Sequence, residues 1–275
     1  MKRARFFPIA LVLFLVLSAV GPSAAPPRVV VLSYNIRHGE GMDKQIRLDR
    51  IAAVIRSVSP DVVALQEVDC KAQRSGGVDQ AGELARLTGM RAAFGRTMDF
   101  QGGQYGNAVL TRLTIATSAT RALPFSKGRE PRAVLMVDLA WPTSGPAEQA
   151  SAAFSLFATH FDFTPDDKDR LAASFVISRW VAENSDHPTL MAGDLNSTPG
   201  SVTLLALGSL WQAAGAGRIF PTVPSGRPRN QIDYVLLRPA ARWKVVEVRV
   251  LDEPMASDHR PILAVLELLP PRKEP

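Results

Sequence analysis

Asn35, Glu67, Asp194, Asn196, Asp233 and Asp258 offer hard oxygen atoms to a cation or a phosphate, and they are spread along a chain of 275 residues. His160 and His259 add groups that transfer protons or bind phosphate near neutral pH. Cys70 is the only cysteine, so a thiolate metal site is excluded. The oxygen-rich set favours Mg²⁺ or Mn²⁺ over zinc, with Ca²⁺ also admissible. Taken singly, each residue has an ordinary explanation. Glu67 can be a solvated strand end, and Asp194 in GDLNSTP can cap a helix or form an Asx turn. His160 can sit satisfied in a core, and Asp258–His259 can be loop surface. Only the set as a whole points to chemistry.

The elements that must carry these residues share a pattern. RVVVLSY at 28–34 runs into Asn35, VVAL at 62–65 into Gln66 and Glu67, FSLFAT at 154–159 into His160, and TLMAG at 189–193 into Asp194. IDYVLL at 232–237 holds Asp233 near its start. Short apolar runs bounded by turn residues predict strands buried on both faces. Between them, residues 48–58 place Ile51, Val54, Ile55 and Val58 at helical spacing, with Pro60 closing the element. Residues 80–87 show a weaker helical pattern, and 168–182 set Ala173, Ile177, Trp180 and Val181 on one helical face. Segments 243–250 and 261–268 read as further strands. Strands alternating with helices give an α/β class, and extra strands within 106–139 imply a mixed sheet or two sheets. Functional residues of such folds gather where strand ends meet loops.

Seven segments then resemble, in order, the successive motifs of the endonuclease/exonuclease/phosphatase family. They are SYNIRHG (33–39), LQEVD (65–69), YGNAVLTR (105–112), THFD (159–162), GDLNSTP (193–199), QIDYVLL (231–237) and SDHRP (257–261). The resemblance implies a four-layered α/β sandwich, two mixed β-sheets face to face with helices outside. It implies metal ligation by Glu67 with Asn35 beside it, and Asp258 as a further residue around the metal. Asp194 would orient or deprotonate the attacking water, and Asn196 would help hold the phosphate. His259 would pair with Asp233, while His160 would bind a phosphate oxygen. Arg132 in REPRAVL sits where relatives carry a phosphate-binding arginine, with Arg129 as the alternative. Tyr105 and Asn107 fit the motif as substrate-binding positions. The implied reaction is metal-dependent hydrolysis of a phosphodiester by in-line attack of water. No G-x-S-x-G elbow or P-loop is present to provide another route.

Composition sets the remaining bounds. With 46% hydrophobic and 21% charged residues the chain reads as globular. Lys2, Arg3 and Arg5 precede an apolar run from Phe6 to Val20 and the small residues Ser23, Ala24 and Ala25. This is the pattern of an export signal covering residues 1–26, with an uncleaved N-terminal anchor as the alternative. Residues 27–275 then form a single domain, exported to the periplasm or medium, and no protein partner beyond a monomer is implied. Without the three leader charges, the formal charge of +6 falls to +3, enough to attract phosphate-rich partners without demanding them. A nucleic-acid substrate is expected ahead of a phospholipid, with Lys71, Arg74, Arg96, Arg218, Arg227 and Arg229 as candidate backbone contacts. Sphingomyelin-type and inositol-phosphate-type esters are the alternatives; Trp141 and Leu210–Trp211 are the only candidates for an apolar membrane loop, and buried core is the expected place of both. A catalytically silent binding module is the non-enzyme alternative.

Overall fold

Alternation along each strand decides where its side chains go. Val29 and Val31 enter one apolar cluster while Leu32 and Tyr34 enter another. Leu156 and Ala158 likewise share a cluster that Phe157 does not. A strand so populated must be covered on both faces, and layers follow. The computed structural model describes residues 26–141, 153–182 and 186–271, so the leader, read as residues 1–26, lies outside it but for Pro26.

Two six-stranded mixed sheets make the inner layers. Their strands are β1 (Arg28–Asn35), β2 (Val62–Cys70), β3 (Arg91–Phe100), β4 (Gly103–Thr111), β5 (Thr114–Ala122), β6 (Ala133–Ala140), β7 (Phe154–His160), β8 (Thr189–Asp194), β9 (Gln212–Ala213), β10 (Asp233–Arg238), β11 (Trp243–Val250) and β12 (Ile262–Leu268). The first sheet has the order β11-β12-β1-β2-β4-β3, and the second β5-β6-β7-β8-β10-β9. The parallel pairs are β1 with β2 and β7 with β8. The central cluster between the sheets includes Val29, Val31, Val62, Ala64, Leu156, Ala158, Leu190, Ala192 and Val235. Helices α1 (Leu48–Val58) and α2 (Gln80–Thr88) cover the outer face of the first sheet through Ile51, Ile55 and Leu84. Helices α3 (Lys168–Ala182) and α4 (Val202–Leu207) cover the second through Ala173, Ile177, Val181 and Leu207. The expected four-layered sandwich is what the chain forms.

The same parity fixes the site. Side chains that point between the sheets are odd-numbered in β1 and β10 and even-numbered in β7 and β8. Continuing each count to the strand's polar end puts Asn35, Asp233, His160 and Asp194 on that inner face. Asp194 pairs in register with both His160 and Asp233, so three site residues lie side by side across the second sheet. Gly193 makes this approach possible, because a Cβ there would stand 1.9 Å from the Thr159 carbonyl oxygen. Gly193→Ala should therefore force β7 and β8 apart and cost about 1–3 kcal/mol of stability, read as a lowered urea midpoint. An unchanged midpoint would mean that the two strands relax without strain.

Several local expectations need correction. The run at 62–65 does not end as a strand at Gln66, because β2 continues to Cys70 through a register shift between Leu65 and Val68. Strand β3 carries no strong apolar alternation to mark it in sequence, since it is a sheet edge with only Gly95 buried. Trp211 is buried against Phe157 and Trp141 packs on Phe154. For both tryptophans this is the expected core placement and no correction, and neither offers a membrane-facing loop.

Candidate active site

Glu67 reaches the cleft through a backbone irregularity. Val63 and Leu65 face the helices, but so does Val68, a reversal of parity that one extra residue produces. The β-bulge that inserts it gives Glu67 a φ of +58°, a left-handed conformation that costs of order 1–3 kcal/mol for such a residue. Bulges re-aim side chains, and this one presents a carboxylate to the cleft that regular alternation would have turned towards the helices. Asn196, with φ of +45°, is the second left-handed residue here, and asparagine tolerates that conformation better than most.

The polar groups form one continuous chain of contacts. Thr222 Oγ1 and His259 Nδ1 both lie against Asp233 Oδ2, the ring nitrogen at 2.9 Å. His259 Nε2 lies 3.6 Å from Asp194 Oδ2. The same Asp194 oxygen accepts from Asn35 Nδ2 at 3.2 Å, and that amide also donates to Glu67 Oε1 at 2.9 Å. Asp194 Oδ1 accepts the Asn196 backbone N–H at 2.9 Å. Asn196 Nδ2 lies 3.1 Å from His160 Nε2 and donates to the Phe161 carbonyl. His160 Nε2 stands 3.4 Å from Asp194.

Burial and charge tune this chain. Burial pushes Asp194 up, the neighbouring Asp233 pushes it further, and His259 and two hydrogen bonds pull back, leaving a pKa of about 7. For His259, burial lowers the value, but the charges of Asp233 and Asp194 prevail and raise it to about 10. His160 goes the opposite way, held well below the ordinary histidine range by burial, Arg132 and His259. At neutral pH the site thus holds a cationic His259, a neutral His160 and an Asp194 poised to exchange a proton.

A cleft of about 250 Å³ opens over these groups, lined by Glu67, Asp194, Asn196, His160 and His259 and walled by Arg74, Met98, Phe100, Tyr105, Glu130, Arg132 and Phe163. The two arginines differ in position. Arg132 is buried in the cleft, its Nη1 2.9 Å from Glu130. Arg129 is spent on Asp162, Asp166 and Asp169. Tyr105 lines the cleft, whereas buried Asn107 donates to the Ala133 carbonyl at 3.0 Å and ties the two sheets together. Asp258 does not line the cleft; it is half-buried and faces Arg37 at 3.6 Å. Thr222, Glu130 and Phe163 were not singled out from sequence. Nothing in their types marks them, and only the REPRAVL and THFD neighbourhoods of Glu130 and Phe163 could have drawn notice.

Asp194, Asp233 and His259 also place one ligand atom each within 4.8 Å of one another, a spacing that can hold a metal ion. Without a cation the three form an ion-paired cluster, with His259 between the two carboxylates. Glu67, whose carboxylate lines the same cleft, is a second group that could hold a hard cation. Asn35 currently turns its nitrogen to the carboxylates and accepts the Arg37 N–H at Oδ1; as an oxygen ligand its amide would turn over. That donor set suits Mg²⁺ or Mn²⁺.

Paired sheets that deliver carboxylates, histidines and an arginine to one cleft define a phosphoesterase fold. Residues 32–259 match the Endonuclease/Exonuclease/phosphatase family, and the chain belongs to that family. The uncharacterized protein YbhP of Escherichia coli is 26% identical over 255 residues, spanning 86% of this chain and 96% of YbhP. The endonuclease/exonuclease/phosphatase from Beutenbergia cavernae superposes with a TM-score of 0.71 at 25% identity, over 88% of this chain and 72% of that one. The mannosyl-6-phosphatase Bt3783 of Bacteroides thetaiotaomicron gives 0.69 at 18% identity, over 86% and 99%. Members of the family are, in general, divalent-metal-dependent hydrolases of phosphoesters.

Proposed function

We propose that the chain hydrolyses a phosphate ester by in-line attack of water, without a covalent enzyme intermediate. The observation that carries this reading is Asp194, a buried carboxyl that lines the cleft with His259 Nε2 3.6 Å from its Oδ2 and whose pKa burial and Asp233 raise. A group so tuned accepts a proton from water at neutral pH. Arg132, the Asn196 amide and His259 supply donors for the phosphoryl oxygens, where charge builds in the transition state. Asp233 holds the His259 ring and its proton. A divalent cation at Glu67 and Asn35 would neutralise phosphoryl and leaving-group charge as a Lewis acid.

The test is a substrate panel with Mg²⁺ or Mn²⁺: plasmid and single-stranded DNA, RNA, sphingomyelin, inositol phosphates and simple phosphate esters. EDTA should abolish turnover and added metal restore it. Glu67→Gln should raise the metal concentration for half-maximal rate by about 10–100-fold. Full activity in exhaustively stripped protein would sink the metal-assisted reading. Binding without turnover of any ester would support the silent-module alternative.

Nucleic acid is the substrate we place first among polymers. Exposed Arg227 and Arg229 lie on a loop whose Ser225 N–H bonds the Asp258 carbonyl next to His259, whereas Arg74 lines the cleft but is paired with buried Asp69. Arg96 is paired with Asp99 and contributes less. Cleavage that depends on such contacts should weaken steeply with salt; hydrolysis of sphingomyelin without nicking of plasmid would reverse the order.

We also propose export. Among the described residues no helix is long and apolar enough to cross a membrane, and the support is the basic, apolar and small-residue succession at the N-terminus. N-terminal sequencing of exported protein should begin between Ala24 and Arg28. Full-length chain confined to the membrane fraction would show an anchor instead.

A further inference from the structure

Two apolar surfaces face the cleft from different sheets. The edge hairpin of the first sheet contributes Met98 and Phe100 from β3 and Tyr105 from β4, and the loop following β7 in the second contributes Phe163. The hairpin side is stiffened by Arg74. Its guanidinium makes two 2.8 Å hydrogen bonds to the fully buried Asp69 and lies 4.5 Å from the Phe100 ring centre and 5.4 Å from that of Tyr105. Phe163 stands opposite in kind. It is 62% exposed, and its ring lies 5.7 Å from the Arg132 guanidinium carbon. Its exposure leaves much of the ring uncovered by protein at the mouth of a polar site.

The volume limits what enters. About 250 Å³ is below the range of roughly 300–1,000 Å³ that holds drug-sized ligands. It suits a phosphoryl group and a single ring. In the hydrolytic reading Arg132, Asn196 and His259 hold the phosphoryl end, which leaves the aromatic surfaces to meet a ring.

We propose that Phe163, with Met98 and Phe100 across the cleft, is a subsite for a flat aromatic ring, which selects phosphate esters carrying a nucleobase or aryl group close to the ester oxygen. The proposal rests on the hydrolytic reading above and adds the identity of the alcohol. Phe163 determines specificity and takes no part in the chemical step. Stacking on one such side chain is worth about 1–3 kcal/mol, so the preference it confers is on the order of tenfold.

Benzyl phosphate and butyl phosphate have alcohols of similar leaving-group basicity, and thymidine monophosphate represents the nucleoside source. Wild-type protein with Mn²⁺ should show kcat/KM for benzyl phosphate about tenfold above that for butyl phosphate, the difference lying in KM. In Phe163→Ala the benzyl-to-butyl ratio should collapse towards one. If thymidine monophosphate loses as much as benzyl phosphate, both ring sources use the subsite; if only one does, that one is the ligand. Calorimetry with benzylphosphonate against methylphosphonate reads the same preference without turnover. Equal affinity for the two phosphonates, or a preference that survives Phe163→Ala, overturns the subsite while leaving hydrolysis intact. No hydrolysis of any ester in the panel overturns the underlying reading.

Discussion

Asp233→Asn lowers turnover by about two to four orders of magnitude while the fold persists. An amide keeps the shape of the carboxylate but removes the charge that holds His259 protonated, and it can offer the ring an N–H where an acceptor is needed. The observed contact is specific: Asp233 Oδ2 meets His259 Nδ1 at 2.9 Å while also accepting from Thr222 Oγ1. His259→Ala should cost a similar factor. The double variant should be little worse than either single one, because residues acting as one unit give non-additive losses. Two penalties that multiply would show that the pair is uncoupled. Metal dependence supplies an independent readout. If Asp233→Asn leaves the metal concentration for half-maximal rate unchanged, the carboxylate acts through histidine. If metal binding is lost, the Asp194, Asp233 and His259 cluster is itself the cation site, and the assignment of the metal to Glu67 is wrong.

Much of this site was legible as strand ends. The polar residues that close β1, β7 and β8, and the one that opens β10, share the parity of the apolar residues between the sheets, so period-two alternation carries Asn35, His160, Asp194 and Asp233 inward. The direction of Glu67 was not legible by that rule. A bulge adds one residue and reverses parity, and LQEVD shows no glycine or proline to announce it. Arg129 and Arg132 could not be separated from sequence because both lie in the loop between β5 and β6. What divides them is Asp162, Asp166 and Asp169, contributed from the loop after β7 and the start of α3. Asp258 was grouped with the ligands by its oxygen chemistry and the SDHRP motif, yet the bends at 254–259 turn it to Arg37 instead. The walls were the least legible part. Phe163, Met98 and Phe100 are ordinary residues on an edge strand and a loop, and only the packing of one sheet against the other brings them to the same opening.

The rate of hydrolysis should rise as pH passes about 7 and fall again near 10. The rising limb is Asp194, which must lose its proton before it can take one from water, and whose value stands at about 7 through burial and the Asp233 charge. The falling limb is His259, which keeps its proton to about 10 because Asp233 and Asp194 outweigh the cost of burial. In the residual activity of Asp233→Asn both limbs should move to lower pH, the alkaline one further, since His259 loses both a charge and a hydrogen bond. Stability should run against activity over part of this range. Both groups have folded values above their ordinary 3.8 and 6.5, so each favours the folded state most at low pH and less as pH rises through its folded value. For Asp194 that loss falls between about 4 and 7, and for His259 between about 6.5 and 10. Across the acid half of the profile, therefore, the thermal midpoint measured in EDTA should drop from this contribution while turnover with metal climbs. Asp194→Asn removes the carboxyl that ionises there, so it should flatten that stability loss and abolish most of the activity together. A variant that lost activity but kept the wild-type pH dependence of stability would show that some other group titrates near 7 in the cleft.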